Sequence, residues 1–314
     1  MRNIKYFLLT LITAIIFPQA IMAQSDFTGS EVTGKWNLTI ELEEGEFPAW
    51  IEINRSGLAT LTGSYVGYEG SARPISEVKY SEGDQTYSFS IPPQWTQLNN
   101  DLRFEFTLQD NKLTGITFRD DETLPWTAVR APALVRDEAP IWGNPINLLD
   151  QNMSKWIIAD NNKFQMQNGV LVNGEVGGNL VTAEKFNDFK LQVEFRYPEG
   201  SNSGLYLRGR YEAQIMDQYG SSPYKQSIGG IYGHIAPSIN AAKEANEWQT
   251  LDITLVGRMV TIVLNGVEVV TNRLIPGMTG GALDNNEDEP GPLMIQGDHG
   301  QVEFRKMIIT PSVN

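Results

Sequence analysis

Side chains that could do acid–base and hydrogen-bonding chemistry are concentrated in the stretch NSGLYLRGRYEAQIMD, residues 202–217. Side chains of a β-strand alternate between two faces. On that period one face of the stretch is apolar, and the other carries Tyr206, Arg208, Arg210, Glu212 and Gln214. Because these groups have planar hydrogen-bonding geometry, we predict that they line a binding groove. A solvated outer face is the alternative interpretation.

Two carboxylates in this stretch, Glu212 and Asp217, raise the question of glycosidase chemistry. Their five-residue spacing places them on opposite faces of a regular strand, but a β-bulge would return Asp217 to the face of Glu212. The pattern then has the form of the bulged E-x-D-x-x-E motif of retaining glycosidases in the laminarinase clan, which need two carboxylates ~5–5.5 Å apart. Gln214 stands at the middle position and Asp217 at the last. Ordinary retaining hydrolysis by Glu212 and Asp217 is therefore an alternative function.

Polar residues on nearby predicted strands and loops could complete the groove. LQVEFR offers Glu194, and PLMIQ offers Gln296, each opposite apolar neighbours. The two histidines of the chain, His234 in IYGH and His299 in QGDHG, occur in glycine-bounded loops beside these strands. Since imidazole commonly transfers protons in enzymes, both histidines are candidates for that role.

An acidic stretch, DNNEDEPG, occupies residues 284–291. Its spacing is not that of an EF-hand loop. We therefore expect a solvated acidic loop at this position.

Composition limits the class of ligand. The chain has 314 residues, a formal net charge of −14, a pI of about 4.6 and no cysteine. Nucleic acids and anionic lipids are bound through basic surfaces, so an acidic protein is a poor candidate for either. Neutral small molecules such as sugars suit it better, and thiol chemistry is excluded.

The first 23 residues have the pattern of a secretory signal peptide. A basic start is followed by an apolar run, Phe7 to Phe17, and a small-residue exit that ends at Ala23. This order is typical of signal peptides, and the apolar run is short for a bilayer span of ~20 residues. We predict export to the periplasm or the exterior after cleavage near Ala23, and no membrane span later in the chain.

The remaining sequence consists almost entirely of short alternating strands between turn residues, which predicts an all-β protein. Residues 24–135 form an antiparallel meander, expected to close into a small barrel or sandwich; its opening GKW resembles lipocalin-like barrels. The stretch APALVRDEAPIWGNPINLL contains Pro132, Pro140 and Pro145 and has no strand period, so we place a linker at 136–145. Residues 146–314 carry further strands, and we predict a two-sheet sandwich or jelly roll.

The second half resembles the 3-keto-disaccharide hydrolase domain family from about residue 146 to 312. The matching pieces are LLDQNMSKW, NGVLV, FKLQVEFRYPEGSNSGLYLRGRYEAQIMD, GGIYGHIAPSINAAKEANEWQTLDITLVG, VTIVLNGVEV and GPLMIQGDHGQVEFRKMII. The resemblance implies a concanavalin-like jelly roll that cleaves 3-keto-glycosides as a hydrolase or lyase. The C3 ketone acidifies the C2 proton, its removal allows elimination of the C1 substituent, and water adds back. A glycoside 3-dehydrogenase is the implied partner.

The chemistry of the individual residues gives hypotheses for their roles. The base is Glu212 or Asp217, Arg208 stabilises oxyanion charge, and His299 or His234 shuttles the proton. Candidate substrate-binding residues are Asn202, Tyr206, Arg210, Gln214, Tyr232, Gln296 and Glu194.

Two questions stay open at this stage. A divalent metal could be held by Glu212, Asp217 and His299, although no cofactor is required by the pattern. A non-catalytic carbohydrate-binding protein is a further alternative, because jelly rolls often only bind sugars.

Overall fold

A computed structural model of the protein describes residues 29–67, 70–94 and 96–314. The described part is all-β, as predicted, with one 3₁₀ turn at Ser30–Val32 and no α-helix. Within these residues no helix has the length and apolar character needed to cross a membrane. The predicted signal peptide lies outside the described residues.

The first half forms a closed barrel of eight antiparallel strands in sequence order, with β1 pairing with β8 to close it. The strands are β1 (Gly34–Leu42), β2 (Gly45–Ser56), β3 (Thr60–Val66), β4 (Arg73–Ser81), β5 (Thr86–Ile91), β6 (Leu102–Gln109), β7 (Lys112–Arg119) and β8 (Glu122–Arg130). Alternation in β6 shows which side chains fill the barrel. Leu102, Phe104 and Phe106 are buried and pack inside the barrel, while the residues between them are exposed.

The second half forms two sheets. Its strands are β9 (Ile146–Asn147), β10 (Trp156–Ile157), β11 (Phe164–Gln167), β12 (Val170–Asn173), β13 (Leu180–Phe186), β14 (Phe189–Arg196), β15 (Asn202–Leu207), β16 (Tyr211–Met216), β17 (Gln249–Val256), β18 (Met259–Leu264), β19 (Val267–Leu274), β20 (Gly291–Ile295) and β21 (Val302–Pro311). The five-stranded sheet has the order β10-β13-β20-β15-β16. The larger sheet runs β11-β12-β21-β14-β17-β18-β19, and β9 pairs with β21.

One hydrophobic core lies between these two sheets. Leu191 and Val193 of the larger sheet and Leu205 and Ile295 of the smaller sheet all belong to it and are at most 2% exposed. Because side chains alternate along each strand, the neighbours of these apolar residues point away from the core. The outer face of the five-stranded sheet is therefore available for polar side chains.

The segment between the halves is held against the second half. Arg136 pairs with Asp188 through two hydrogen bonds of 2.7 and 3.0 Å. The Arg258 guanidinium donates to the carbonyl of Pro132, and the amide of Gly143 donates to the carbonyl of Pro311 at 2.8 Å. These contacts attach the barrel to the two-sheet unit beyond the covalent connection.

Candidate active site

The antiparallel pair of β15 and β16 supplies the centre of a polar cavity. In its register Tyr206 pairs with Glu212, and Gly204 pairs with Gln214. The cavity has a volume of about 350 Å³ and lies on the outer face of the five-stranded sheet. It is lined by Gly70, Asn179, Asn202, Tyr206, Glu212, Gln214, Tyr232, Gly280, Gly281, Gln296, Asp298 and His299.

Glu212 is the buried carboxyl group of this cavity, with 4% of its surface exposed. The Tyr206 hydroxyl lies 3.1 Å from Oε2 of Glu212 and 3.0 Å from the carbonyl oxygen of Gly280. In the amide orientation that satisfies both of its ends, Gln214 donates to Oε1 of Glu212 and to the carbonyl of Ser203, each at 3.0 Å. Both carboxyl oxygens are thus held in place by neighbouring side chains.

Burial raises the pKa of Glu212 to about 8. The hydrogen bond from Tyr206 acts in the opposite direction, and the negative charge of Asp298 adds to the rise. Burial penalises the charged form of a carboxyl group. A carboxyl group with a pKa near 8 can accept or donate a proton close to neutral pH, which is a property of catalytic acids and bases.

The NSG segment that begins β15 has a separate structural role for each residue. Asn202 lines the cavity, and the Ser203 hydroxyl donates to the backbone carbonyl of Gln296 at 2.9 Å. A Cβ atom at Gly204 would lie 2.4 Å from Oε1 of Glu212. Glycine is required at this position because the carboxyl group occupies the space of a side chain.

A second group of polar side chains follows β20. Oε1 of Gln296 is buried and has no hydrogen-bond partner among the described residues, so it can accept from a ligand hydroxyl. Nδ1 of His299 lies 2.7 Å from Oδ1 of Asp298, and both side chains are about half exposed. A carboxylate on one ring nitrogen orients the imidazole and leaves the other nitrogen for proton transfer.

Tyr232 enters the cavity from the long connection between β16 and β17. Its hydroxyl lies 3.4 Å from Nε2 of Gln226, and burial raises its pKa. The phenol therefore stays protonated and can donate a hydrogen bond to a sugar oxygen.

Seven of the residues singled out from the sequence come together here: Asn202, Tyr206, Glu212, Gln214, Tyr232, Gln296 and His299. Five others do not line the cavity: Glu194, Arg208, Arg210, Asp217 and His234. The residues that sequence reasoning missed are Gly70, Asn179, Gly280, Gly281 and Asp298.

Arg208 and Arg210 do not share the face of Glu212, contrary to the alternation argument. β15 ends at Leu207 and β16 begins at Tyr211, so the arginines lie in the turn between them. Arg208 and Gly209 have left-handed backbones, with φ of 56° and 68°, and period two does not continue through such a turn. Both arginines are buried, with at most 1% of their surface exposed.

These arginines instead hold the acidic segment at residues 284–289. Arg208 donates to the carbonyls of Glu287 and Glu289, the latter at 2.6 Å. Arg210 donates to the carboxylate of Asp284 at 2.6 Å and to the carbonyl of Glu289 at 2.9 Å. The expected oxyanion-stabilising role of Arg208 therefore has no support in its position.

The expectation of a solvated acidic loop is corrected at one residue: Asp288 and Glu289 are exposed, but Glu287 is not. Glu287 is fully buried and accepts a 2.7 Å hydrogen bond from the Tyr211 hydroxyl. Its Oε1 also lies 3.5 Å from Nε of Arg258. The buried guanidinium of Arg258 offsets part of the cost of burying this carboxylate.

Asp217 lies just beyond the end of β16, and the β15–β16 register contains no bulge that would bring it beside Glu212. Its Oδ2 accepts from the amide of Gly200 at 2.9 Å, and its own amide donates to the carbonyl of Ser201 at 2.9 Å. These contacts fix the connection that precedes β15. Asp217 thus has a turn-stabilising position outside the cavity.

Glu194 and His234 also have partners elsewhere. Glu194 belongs to the larger sheet and accepts from Arg305 at 2.6 Å. His234 packs edge-on against Trp50 of the barrel with ring centroids 5.5 Å apart, and its Nε2 lies 3.0 Å from the Met278 carbonyl. Burial lowers the pKa of His234 to about 4, so the ring is neutral near pH 7.

The described residues contain no group of three or more histidine and carboxylate side chains placed to hold a metal ion. Of the proposed metal ligands, Glu212 and His299 line the cavity and Asp217 does not. These side chains do not fit the predicted three-ligand site, so we assign no catalytic step to a metal. The metal site stays a prediction from the sequence.

The lining as a whole suits a neutral, hydroxyl-rich ligand. Its described members include two carboxyl groups, two phenols, four amides and one imidazole, with no lysine or arginine.

Comparison with protein families confirms the resemblance seen in the sequence. The family described as the 3-keto-alpha-glucoside-1,2-lyase-like domain matches residues 144–310, just over half of the chain. The protein belongs to this family, and its second half is a glycoside-acting, hydrolase-like domain.

Several solved structures are similar to the chain. A candidate glycosyl hydrolase from Parabacteroides distasonis is 26% identical, with a TM-score of 0.46 over 56% of this chain and 92% of that one. A second candidate glycosyl hydrolase from the same organism is 22% identical, with a TM-score of 0.44 over 53% and 98%. A sialidase from Trypanosoma rangeli is 10% identical, with a TM-score of 0.31 over 84% and 60%. No curated protein matches the chain.

Proposed function

We propose that the protein cleaves 3-keto-glycosides by removal of the C2 proton, elimination of the C1 substituent and addition of water. The observation that carries this proposal is Glu212: a buried carboxyl group in a polar cavity, held by Tyr206 and Gln214, with its pKa raised to about 8. Such a group is a suitable base for a weakly acidic C–H bond. Family membership supports the substrate class.

The reaction requires one base and one proton donor. The Glu212 carboxylate takes the proton from C2, and the electron pair of that bond passes to the C3 oxygen as an enolate. Return of the electrons forms the C1–C2 double bond and breaks the bond between C1 and the leaving oxygen, which takes a proton. Water then adds its hydroxide to C1 and gives its remaining proton to the group that protonated the leaving oxygen, and Glu212 returns a proton to C2.

The other lining residues fit the remaining roles. The Asp298–His299 pair is exposed enough to meet the leaving oxygen, and we assign it the proton donation. Arg208 does not line the cavity, so the enolate must be stabilised by other hydrogen-bond donors. The lining offers the Tyr232 phenol and the Asn179 and Asn202 amides. Uncharged donors aimed at developing negative charge stabilise it effectively in a partly buried site.

The substrate must be supplied by another reaction. A ketone at C3 of a glycoside arises by two-electron oxidation of the hydroxyl, so a dehydrogenase acting on glycosides is the partner class. Direct contact with such an enzyme is not needed, because the keto-glycoside can diffuse between them.

A second candidate function is ordinary hydrolysis of an unoxidised glycoside, and one observation favours it. Glu212 and Asp298 both line the cavity, and Asp298 contributes to the raised pKa of Glu212. In this case Glu212 would act as the acid and Asp298, rather than Asp217, as the second carboxylate.

The pH profile and isotope exchange distinguish the two functions. If Glu212 is the base, kcat/KM for a 3-keto-glycoside rises with pH and levels off above about 8, because the ionised form is active. If Glu212 is the acid, activity on the unoxidised glycoside falls above the same pH.

The decisive experiment supplies a glycoside and its 3-keto derivative in D₂O at several pH values. Deuterium at C2 of the product, with turnover of the oxidised substrate alone, supports the elimination mechanism. Turnover of the unoxidised glycoside without deuterium at C2 would replace it by direct hydrolysis. Binding without turnover of either would indicate a carbohydrate-binding protein.

A further inference from the structure

The barrel meets the two-sheet unit at the rim of the cavity rather than at a distance from it. Gly70, in the barrel loop between β3 and β4, is part of the cavity lining. The described part of that loop continues through Ser71 and Ala72 into β4.

Three consecutive residues of the two-sheet unit, Tyr232, Gly233 and His234, lie between the cavity and the barrel. Tyr232 lines the cavity. A Cβ atom at Gly233 would lie 2.8 Å from the amide nitrogen of Ala72 and 2.9 Å from Cβ of Ser71. His234 packs on Trp50. The backbone of Gly233 therefore packs directly against the barrel, next to a residue that lines the cavity.

A second loop, residues 277–281, makes a similar approach. A Cβ atom at Gly277 would lie 2.2 Å from the Trp50 indole nitrogen, and one at Gly280 would lie 2.0 Å from the carbonyl oxygen of Gly70. Met278 is fully buried in a small apolar cluster with Trp50. Gly280 accepts from the Tyr206 hydroxyl, which also contacts Glu212. The loop thus connects the barrel to the catalytic carboxyl group.

A short hydrogen-bond chain connects the barrel to Tyr232. Nε2 of Gln226 lies 3.0 Å from Oγ of Ser71 and 3.4 Å from the Tyr232 hydroxyl. Ser71 is buried, with 6% of its surface exposed. The orientation of a cavity phenol therefore depends on a barrel side chain.

We propose that the barrel is part of the substrate site, with Gly70 forming part of one wall and Ser71 positioning Tyr232 for binding of the glycoside. The proposal rests on the proposed function for its kinetic consequence. Residues from both halves then set which glycosides enter, and the barrel is more than a packing partner. Ser71 is a positioning residue, since it acts on the substrate through Tyr232.

The test compares Ser71→Ala with Ser76→Ala, a matched change at an exposed position of β4. Loss of one hydrogen bond in the chain to Tyr232 should raise KM for a 3-keto-glycoside roughly 3- to 10-fold. Because Tyr232 is also one of the donors assigned to the enolate, kcat should fall too, but far less than in a variant that lacks the Glu212 carboxylate. The Ser76→Ala control should match the wild type in both constants.

A second readout does not depend on the reaction. Amide hydrogen exchange of residues 230–235 should be faster in Ser71→Ala than in Ser76→Ala, because the barrel no longer holds the Tyr232 loop. Exchange rates equal in the two variants, or a KM equal to that of the control, would overturn the proposal. A wild type that turns over no keto-glycoside would refute the proposed function, and exchange alone would then decide the role of the barrel.

Discussion

The β15–β16 hairpin has two polar halves that look alike in sequence and differ completely in the fold. The strand half carries Tyr206, Glu212 and Gln214, which face an open cavity. The turn half carries Arg208 and Arg210, which are buried under the acidic segment and bind its carbonyls and carboxylate. One half can therefore act on a ligand, while the other holds a loop in place.

Alternation along a strand shows which side chains share a face of the sheet, but it does not show which segment of the chain covers that face. Glu212 and Glu287 are both buried carboxyl groups. Glu287 has the guanidinium of Arg258 beside it, whereas Glu212 has only the neutral groups of Tyr206 and Gln214. Glu212, which has no cation beside it among the described residues, therefore combines a raised pKa with a position in the cavity lining, as a catalytic acid or base requires.

The largest effect is expected from Glu212→Gln, which removes the proposed catalytic base from the strand half. Turnover should fall roughly 10²- to 10⁴-fold, measured as kcat on a 3-keto-glycoside. The exposed Glu184→Gln is the matched control and should retain activity. Wild-type turnover in Glu212→Gln would remove Glu212 from the mechanism.

The same variant has a predicted pH-dependent stability. The pKa of Glu212 is raised from 4.5 to about 8 on folding, so its contribution to stability is complete below pH 4.5 and is lost as pH rises through 8. Glu212→Gln should match the wild type in melting temperature near pH 4 and exceed it near pH 9. A lower melting temperature at pH 9 would contradict the burial of an unpaired carboxyl group.

Glu287→Gln tests the turn half. Removing its charge leaves Arg258 buried without its carboxylate, and breaking a buried pair costs about 3–5 kcal/mol. Chemical denaturation should show this loss in the free energy of unfolding. At temperatures where the variant is folded, turnover should decrease far less than in Glu212→Gln; an equal decrease would mean that the two halves are not separate in function.

Gly204→Ala tests the strand half by adding a single methyl group next to Glu212. The added Cβ would meet Oε1 of Glu212 at 2.4 Å, so the carboxyl group must move. A displacement on the order of 1 Å can cost about 10²-fold in rate. Gly174→Ala, where an added Cβ meets nothing within 4 Å, is the control, and the two variants should differ in kcat.

The smallest effect is expected from Asp217→Asn. Its carboxylate stabilises a turn outside the cavity, so kcat/KM should stay within about two-fold of the wild type. A loss comparable to that of Glu212→Gln would restore the two-carboxylate retaining mechanism with Asp217.

Prediction from sequence was accurate where a local pattern was sufficient. Period-two alternation gave the all-β class and the correct faces of Tyr206, Glu212 and Gln214 relative to the core. It was wrong at Arg208 because that residue has a left-handed backbone in a turn, where the period is interrupted. Asp298 was not predicted, because it is 86 positions from Glu212 in the sequence and only the fold brings both carboxyl groups to the cavity.

The sequence by itself determined that this protein is an all-β chain of the 3-keto-alpha-glucoside-1,2-lyase-like family, since strand periodicity and family residues are local properties. Tertiary structure alone decided that Glu287 is buried and that the barrel residue Gly70 borders the cavity. These facts depend on which distant segments pack together. Ser71 and Tyr232 are separated by 161 positions yet are bridged by the Gln226 amide, and no local pattern records such a contact.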